Sequence, residues 1–364
     1  MRECIVVTGG GTGGHVYPVL AVLEELPSIR VVWIGSGSQL ERRILEGRRL
    51  RYYGIPTGKL RRYFSLRNIV DLFKIVAGFF VSLLILLREK PKLVFSKGGY
   101  VSVPPVAAAR LLGIPSLTHE SDLRPGLATR INTRFVDRVL VSFPGSDRYF
   151  DERFRGKVIH TGNPIRKILL SGDAQKGRAL FGCPANRRLL LVLGGSLGAA
   201  SINRLVLGAL ESLRMDCFVV HQLGSGQFDK SNVQSNYYPA AYFHDDLAHA
   251  FAAADLVLCR AGANTLWELA ALGKPSVLIP LPRGSSRGDQ IENADFFAEA
   301  GAAIVLQQEG LTPDRLAEVV LHLLGNADKL ERMGARALEL GRPDAAGRIA
   351  RLMLRSLDSG VVEF

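Results

Sequence analysis

Residues 4–19 read CIVVTGGGTGGHVYPV, a β-branched apolar run without charge that passes into glycines at 9, 10, 11, 13 and 14, then His15 and Pro18. Such a run followed by a glycine-rich bend is how a buried parallel strand hands over to a helix. Glycine permits backbone angles that other residues avoid and lets a ligand come close to the N–H groups. A helix is expected from Tyr17 or Pro18, with its positive end directed at the loop. The loop is therefore expected to receive an anion.

Gly9, Gly11 and Gly14 satisfy G-x-G-x-x-G, but the dinucleotide fingerprint also needs an acid about 20 residues on, at the end of the second strand. The strand expected at 30–34 (RVVWI) runs into Gly35, Ser36 and Gly37 and meets no acid until Glu41, which argues against NAD. The same pattern returns at 189–199, LLLVLGGSLGA, before a helical stretch at 201–213. With further strands expected at 93–95, 115–118, 138–142 and 158–161, the fold class is α/β: two Rossmann-like, doubly wound domains facing across a cleft. GNPIR at 162–166 reads as the hinge, with the Arg166 guanidinium suited to a phosphate.

A chain of 364 residues, 47% hydrophobic and 22% charged, accommodates two ordered domains. The excess of 46 Lys and Arg over 34 Asp and Glu, net +12, invites anionic lipid, phosphorylated substrates or nucleic acid. The basic residues alternate with apolar ones and lack a stacking array, so nucleic acid is not expected. Cys4, Cys183, Cys217 and Cys259 are dispersed without a C-x-x-C and read as reduced core residues of a cytoplasmic protein. The immediate strand leaves no room for a signal peptide. At 60–92, LRRYFSLRNIVDLFKIVAGFFVSLLILLREKPK, the uncharged core spans only 75–87, short of the roughly 20 residues of a spanning helix. Cations border it: Arg61, Arg62, Arg67, Lys74, Arg88, Lys90 and Lys92, after Arg48, Arg49, Arg51 and Lys59. This predicts a surface seated on an anionic bilayer; the alternative is a buried helix of the first domain.

Lys97 precedes a third glycine turn, Gly98, Gly99 and Tyr100, and HESD at 119–122 follows another strand end. Glu120 there can act as a base, orient a hydroxyl, bind a cation or cap a helix. The stretch 255–273, DLVLCRAGANTLWELAALG, places Arg260 and Gly262 at a turn before a helix. Amides at 262–265 would take a diphosphate, and Glu268 the hydroxyls of a ribose. Thr265-x-x-Glu268 is equally a capping box. The polar loop at 282–294, ending in Asp289, Gln290 and Asn293, suits sugar hydroxyls.

GGGTGGH, KGGYVS, GNPIR, GGSLGA, CRAGANTLWE and GDQIENA, in this order across nearly the whole chain, resemble the MurG family. The resemblance implies a GT-B fold in which an inverting transferase, at the cytoplasmic face of the plasma membrane, moves N-acetylglucosamine from UDP-N-acetylglucosamine to undecaprenyl-pyrophosphoryl-N-acetylmuramoyl-pentapeptide. It implies an acceptor-binding, membrane-associating domain at 1–163, joined by 345–364, and a donor domain at 164–344. Arg166 and Ser196 match contacts to the diphosphate, Glu268 the ribose ligand, and Gly262, Ala263, Asn264 and Thr265 the helix start that meets the phosphates. Gln290 matches a glutamine that reads the sugar. Thr12, Gly13, Gly14 and Asp122 lie near the donor sugar; His244 and Arg260 join the donor set, and Gly98, Gly99 and Tyr100 the acceptor set. Asp122 stands where many members have asparagine, Asp289 where some have a second glutamine, Leu197 where glutamine is frequent and Ser96 where glycine is usual.

The implied chemistry needs a base for the acceptor hydroxyl and charge stabilisation for departing UDP. His15, near a helix N-terminus that disfavours positive charge, is the first candidate base, and Glu120 the second. There is no D-x-D, only Glu120-Ser121-Asp122, so no metal or other cofactor is expected. A UDP-N-acetylglucosamine 2-epimerase and a non-catalytic membrane-bound nucleotide-sugar module remain as alternatives.

Overall fold

The computed structural model describes residues 3–11, 13–26, 29–58, 67–194, 198–224, 226–228, 234–284 and 287–359. The chain divides into two units, Met1–Arg166 with Asp344–Phe364, and Lys167–Pro343.

The first unit holds seven strands: β1 (Cys4–Thr8), β2 (Arg30–Gly35), β3 (Arg51–Gly54), β4 (Leu93–Ser96), β5 (Ser116–Glu120), β6 (Arg138–Val141) and β7 (Val158–His160). They lie in the order β3-β2-β1-β4-β5-β6-β7 with every pair parallel. The second holds β8 (Arg188–Leu193), β9 (Cys217–Gln222), β10 (Tyr237–Ala240), β11 (Leu256–Cys259), β12 (Ser276–Leu278) and β13 (Ala303–Val305), ordered β10-β9-β8-β11-β12-β13 and again parallel. In each, the strand order reverses beside the first strand, at β1/β4 and at β8/β11, and such a switch point opens a crevice at the carboxyl ends of the strands. Register brings those ends together: Thr8 pairs with Ile34 on one side and Ser96 on the other.

Helices cover both faces of the sheets, so the central strands read as continuous apolar runs. On one face of the first sheet Val7, Trp33, Phe95 and Leu117 pack with Val16, Val19 and Leu20 of the helix Gly13–Leu23 and with Ile349, Met353 and Leu357 of the helix Ala345–Ser359. On the other, Val6, Val32 and Val94 meet Ile85, Leu86, Ala108 and Ala109. The helix Gly13–Leu23 starts four residues earlier than the sequence suggested, because Gly13 and Gly14 are helical and Pro18 sits inside it, where its ring nitrogen cannot donate.

The apolar stretch after β3 forms one helix, Arg67–Glu89, of 23 residues, about 34 Å long. By length and composition 70–89 could cross a membrane, which corrects the shorter estimate from the uncharged core: Asp71 and Lys74 lie within the helix without ending it. The helix is nevertheless built into the first unit. Its backbone passes so close to residues 56–58 that a methyl group at Gly78 would sit 2.3 Å from the Pro56 oxygen, and one at Gly58 2.1 Å from that of Asp71. At its end the Glu89 carboxylate accepts hydrogen bonds from Arg51 Nη1 (2.8 Å), Tyr53 Oη (2.6 Å) and Arg30 Nη1. Burial pushes the Glu89 carboxyl up, but these donors outweigh it and hold it at about 2. Arg51, expected among membrane-facing cations, is thus paired with Glu89; Lys92 pairs with Glu3, Arg48 with Glu24 and Lys74 with Asp71. Arg88 and Lys90 are exposed, and Lys59, Arg61 and Arg62 lie outside the described residues.

Candidate active site

At the carboxyl end of β1 the first glycine turn is already furnished with an anion. Glu41, in the first turn of the helix Gln39–Leu45, is fully buried. Its Oε1 accepts from Gly11 N (2.7 Å) and from Ser36 Oγ; its Oε2 accepts from Ser36 N (2.8 Å) and Tyr52 Oη (2.8 Å). A methyl group on Gly10 would fall 2.2 Å from Oε1. The expectation that this turn receives an external anion therefore fails at Gly11, whose N–H is spent on a carboxylate of the same chain. Burial and the Glu41 charge also raise the Tyr52 phenol, keeping it protonated as a donor.

The third glycine turn folds onto the first. Gly98 and Gly99 take φ of +77° and +76°, which side-chain-bearing residues avoid. A methyl on Gly99 would lie 3.4 Å from the Gly10 oxygen and from His15 Nε2, while Tyr100 lies against Gly11. His15, Gly98, Gly99 and Tyr100 are thus gathered at one sheet end with Gly13 and Gly14; Thr12 lies outside the described residues. His15 falls in the first helical turn, where amides lack intrahelical acceptors.

Glu120 sits deeper. Its carboxylate accepts from Ser121 N (2.9 Å), Asp122 N (3.2 Å), Gly126 N (2.9 Å) and Thr129 Oγ1 (2.5 Å), fastening the turn that carries Asp122 and the start of the helix Leu127–Asn132. This is the capping role held open above. Beside it Lys97, buried, donates to Ser121 Oγ; burial pulls its ammonium down to about 8, against the opposing pull of Glu120 and Asp122. Ser121 Oγ continues to Asn163 Oδ1 (3.0 Å), and His119 Nε2 bonds Gly162 O (3.0 Å), tying the glycine turn to the GNPIR segment. Arg166 stacks its guanidinium over the Tyr17 ring at 4.8 Å.

In the second unit the helix Ala263–Ala271 begins after Gly262, with no side chain capping it. Thr265 is the third residue inside that helix, so Thr265-x-x-Glu268 is not a capping box. The first-turn amides of Ala263, Asn264 and Thr265 have no intrahelical acceptor. A methyl on Gly262 would meet nothing within 4 Å, so this end is open. Glu268, part-exposed one turn on, lies close enough to the end of β11 for its charge to add to the burial that pushes the Cys259 thiol up to about 12. Gln290, second in the helix Asp289–Glu299, accepts from Leu281 N (3.1 Å) through Oε1, which turns its amide to the loop after β12. His244, after β10, packs edge-on against Tyr242 at 4.8 Å. Ser196 and Leu197 lie outside the described residues. Gly194 and Gly198 on either side are tightly wound: methyl groups there would fall 2.5 Å from Ala199 N and 2.4 Å from Leu223 O.

Arg260 is held by the second unit's own groups. Its guanidinium donates to Ile279 O (2.9 Å), Pro280 O (3.3 Å), Ser201 Oγ (2.5 Å) and Gln308 Oε1 (2.7 Å), fastening the ends of β11 and β12 to the helix Ala200–Asp216. Sequence reasoning missed Glu41 altogether. It also missed Asn203, buried in the helix Ala200–Asp216, whose Nδ2 donates to Leu223 O (2.8 Å) and whose Oδ1 meets His221 Nε2 (3.1 Å). The available signal was a polar residue amid a helix face that is otherwise apolar. Among the described residues no group of three or more His, Cys, Asp or Glu is placed to hold a metal.

Residues 5–141 match the glycosyltransferase family 28 N-terminal domain, and residues 189–349 the family 28 C-terminal domain. A UDP-N-acetylglucosamine–N-acetylmuramyl-(pentapeptide) pyrophosphoryl-undecaprenol N-acetylglucosamine transferase of Treponema denticola is 48% identical over 86% of each chain. The protein of that name from Treponema pallidum is 43% identical over 99% of this chain and 97% of its own. Among solved structures, Acinetobacter baumannii MurG superposes with a TM-score of 0.76 at 30% identity, covering 97% of this chain and 99% of its own. A UDP-GlcNAc 2-epimerase from Neisseria meningitidis, solved with UDP-GlcNAc bound, reaches a TM-score of 0.68 over 98% of this chain and 100% of its own, at 16% identity, a likeness of fold alone. With two parallel α/β units and these relatives matched from end to end, the chain has the GT-B fold and belongs to the MurG family of UDP-N-acetylglucosamine-dependent transferases.

Proposed function

We propose that this chain transfers N-acetylglucosamine from UDP-N-acetylglucosamine to undecaprenyl-pyrophosphoryl-N-acetylmuramoyl-pentapeptide, converting lipid I to lipid II in peptidoglycan synthesis. The single observation that carries the reading is the identity to transferases of that name over nearly the full length. The acceptor hydroxyl oxygen bonds to the anomeric carbon as the bond to the β-phosphate oxygen breaks. UDP leaves with the electron pair, the α-linked donor becomes a β-1,4 glycoside, and the hydroxyl proton passes to His15.

His15 is favoured over Glu120 because the latter already accepts four hydrogen bonds. The C-terminal unit binds the donor, with the helix-start amides of Ala263, Asn264 and Thr265 meeting the diphosphate and Glu268 the ribose. Gln290 reads the sugar, and Arg166 and Ser196 complete the diphosphate contacts. The N-terminal unit takes the acceptor beside Gly98, Gly99 and Tyr100. It also seats the enzyme peripherally on the cytoplasmic face of the membrane, a reading supported by the exposed apolar row Phe73, Val76, Phe80, Leu84 and Leu87 with Arg88 and Lys90 at its end.

The test is UDP release from UDP-N-acetylglucosamine with purified lipid-linked muramoyl-pentapeptide and without it. Acceptor-dependent release is expected. Sugar nucleotide isomerised without acceptor would instead indicate a 2-epimerase, and binding without release a non-catalytic module.

A further inference from the structure

We propose that Glu41 is a positioning residue of the transfer: its side-chain carboxyl group, enclosed under the first glycine turn, sets the Gly10–Gly11 peptide and with it the helix start that carries His15. The inference rests on the transferase reading, since it concerns the same base.

Each carboxylate oxygen takes one backbone N–H and one hydroxyl: Gly11 N and Ser36 Oγ on Oε1, Ser36 N and Tyr52 Oη on Oε2. Hydroxyls can turn round and accept, but an N–H can only donate. A glutamine would present its NH2 to one of the two backbone amides, of half-buried Ser36 or exposed Gly11, and take away that amide's side-chain acceptor. A carboxyl group, with an acceptor on each oxygen, satisfies both, so the residue occupies the place where a phosphate would sit in a nucleotide-binding glycine turn.

The surroundings leave it no latitude. Methyl groups on Gly10 and Gly35 would come within 2.2 and 2.3 Å of its oxygens, so both positions require the space of glycine. The far side of the same turn is closed by the third glycine turn: the Gly10 oxygen and His15 Nε2 each lie 3.4 Å from where a methyl on Gly99 would be. The Gly10 peptide therefore lies between the carboxylate on one side and the space shared by Gly99 and the His15 imidazole on the other, the route by which a shift at Glu41 reaches the imidazole. Tyr52 braces the arrangement by donating to Glu41 while accepting from Gly37 N (2.7 Å).

The test compares the full chain with Glu41→Gln and Tyr52→Phe. In Glu41→Gln, kcat with lipid-linked acceptor should fall about ten- to hundredfold, the loss of one hydrogen bond to a charged group. Affinity for UDP, measured by calorimetry, should change less than twofold. Amide hydrogen exchange at 11 and 36 should accelerate at one or both positions. Tyr52→Phe keeps the carboxylate and removes one donor, so kcat should fall by about threefold or more. A kcat within twofold of wild type in Glu41→Gln overturns the proposal, as does a parallel loss of kcat and UDP affinity, which would mark general damage. Should Glu41→Gln fail to fold, an unchanged kcat in Tyr52→Phe overturns it. Failure of the transferase reading itself would appear separately, as wild type without acceptor-dependent UDP release.

Discussion

In the proposed reaction His15 and Glu268 serve different stages, so replacing them should fail differently. His15→Ala removes the proton acceptor: kcat should drop by about 10²- to 10⁴-fold while the KM for UDP-N-acetylglucosamine stays within about twofold. Glu268→Ala removes a charged hydrogen-bond partner of the nucleotide and should raise that KM by about ten- to hundredfold with a smaller effect on kcat. Steady-state kinetics varying each substrate in turn separates the two. Both residues were singled out from the sequence because each follows an apolar run and a glycine bend at a strand end. Glu41 was not. Ser38-x-x-Glu41 has the spelling of a capping box, and Ser38 does cap its helix, accepting from Glu41 N at 3.3 Å. The side chain instead turns to a glycine 30 positions earlier, a contact created by the pairing of β1 with β2 and invisible to local spacing. The partners of Arg260 were hidden for a related reason: its four acceptors are brought in from segments distant in sequence.

The helix Arg67–Glu89 is held at one end by charge and left open along one face. Glu89 titrates at about 2 in the fold, below its ordinary 4.5, so its contribution is complete above about pH 4.5 and is lost as pH falls toward 2. The stake is roughly 1–3 kcal/mol, reduced by solvent around the half-exposed guanidiniums of Arg30 and Arg51. Urea unfolding at pH 6 and pH 3 should show wild type losing this increment and Glu89→Gln losing less. The open face carries Phe73, 72% exposed, and Leu84, 67% exposed. Phe73→Glu with Leu84→Glu should reduce co-sedimentation with phosphatidylglycerol vesicles by about tenfold or more, with UDP binding retained. The sequence reading found this element by its hydropathy but set its ends by the nearest charges. A helix ends where its backbone bonds end, here at Lys90 with φ of +47°, and charged side chains along it merely choose which face meets water.

At the scale of the molecule, the alternation of apolar strands with helical stretches made the α/β class readable, and the two glycine turns marked the first strand of each sheet. The outer strands were harder. β3 is four residues, RYYG, inside a cluster of arginines, and β10 and β13 are similarly short; their pairing comes from neighbours already in place. If helix-start amides carry the charge of departing UDP, turnover should be unchanged in excess EDTA; abolition restored by Mg²⁺ would contradict that assignment. The return of the helix Ala345–Ser359 to the first unit has a consequence for biogenesis. The segment from Asp344 supplies Ile349, Met353 and Leu357 to a core whose other members lie within the first 140 residues or so of the unit. The half of the protein that leaves the ribosome first is thus the half completed last, and throughout synthesis of the second unit the nascent first one carries an uncovered apolar seam along Gly13–Leu23, a natural station for a chaperone.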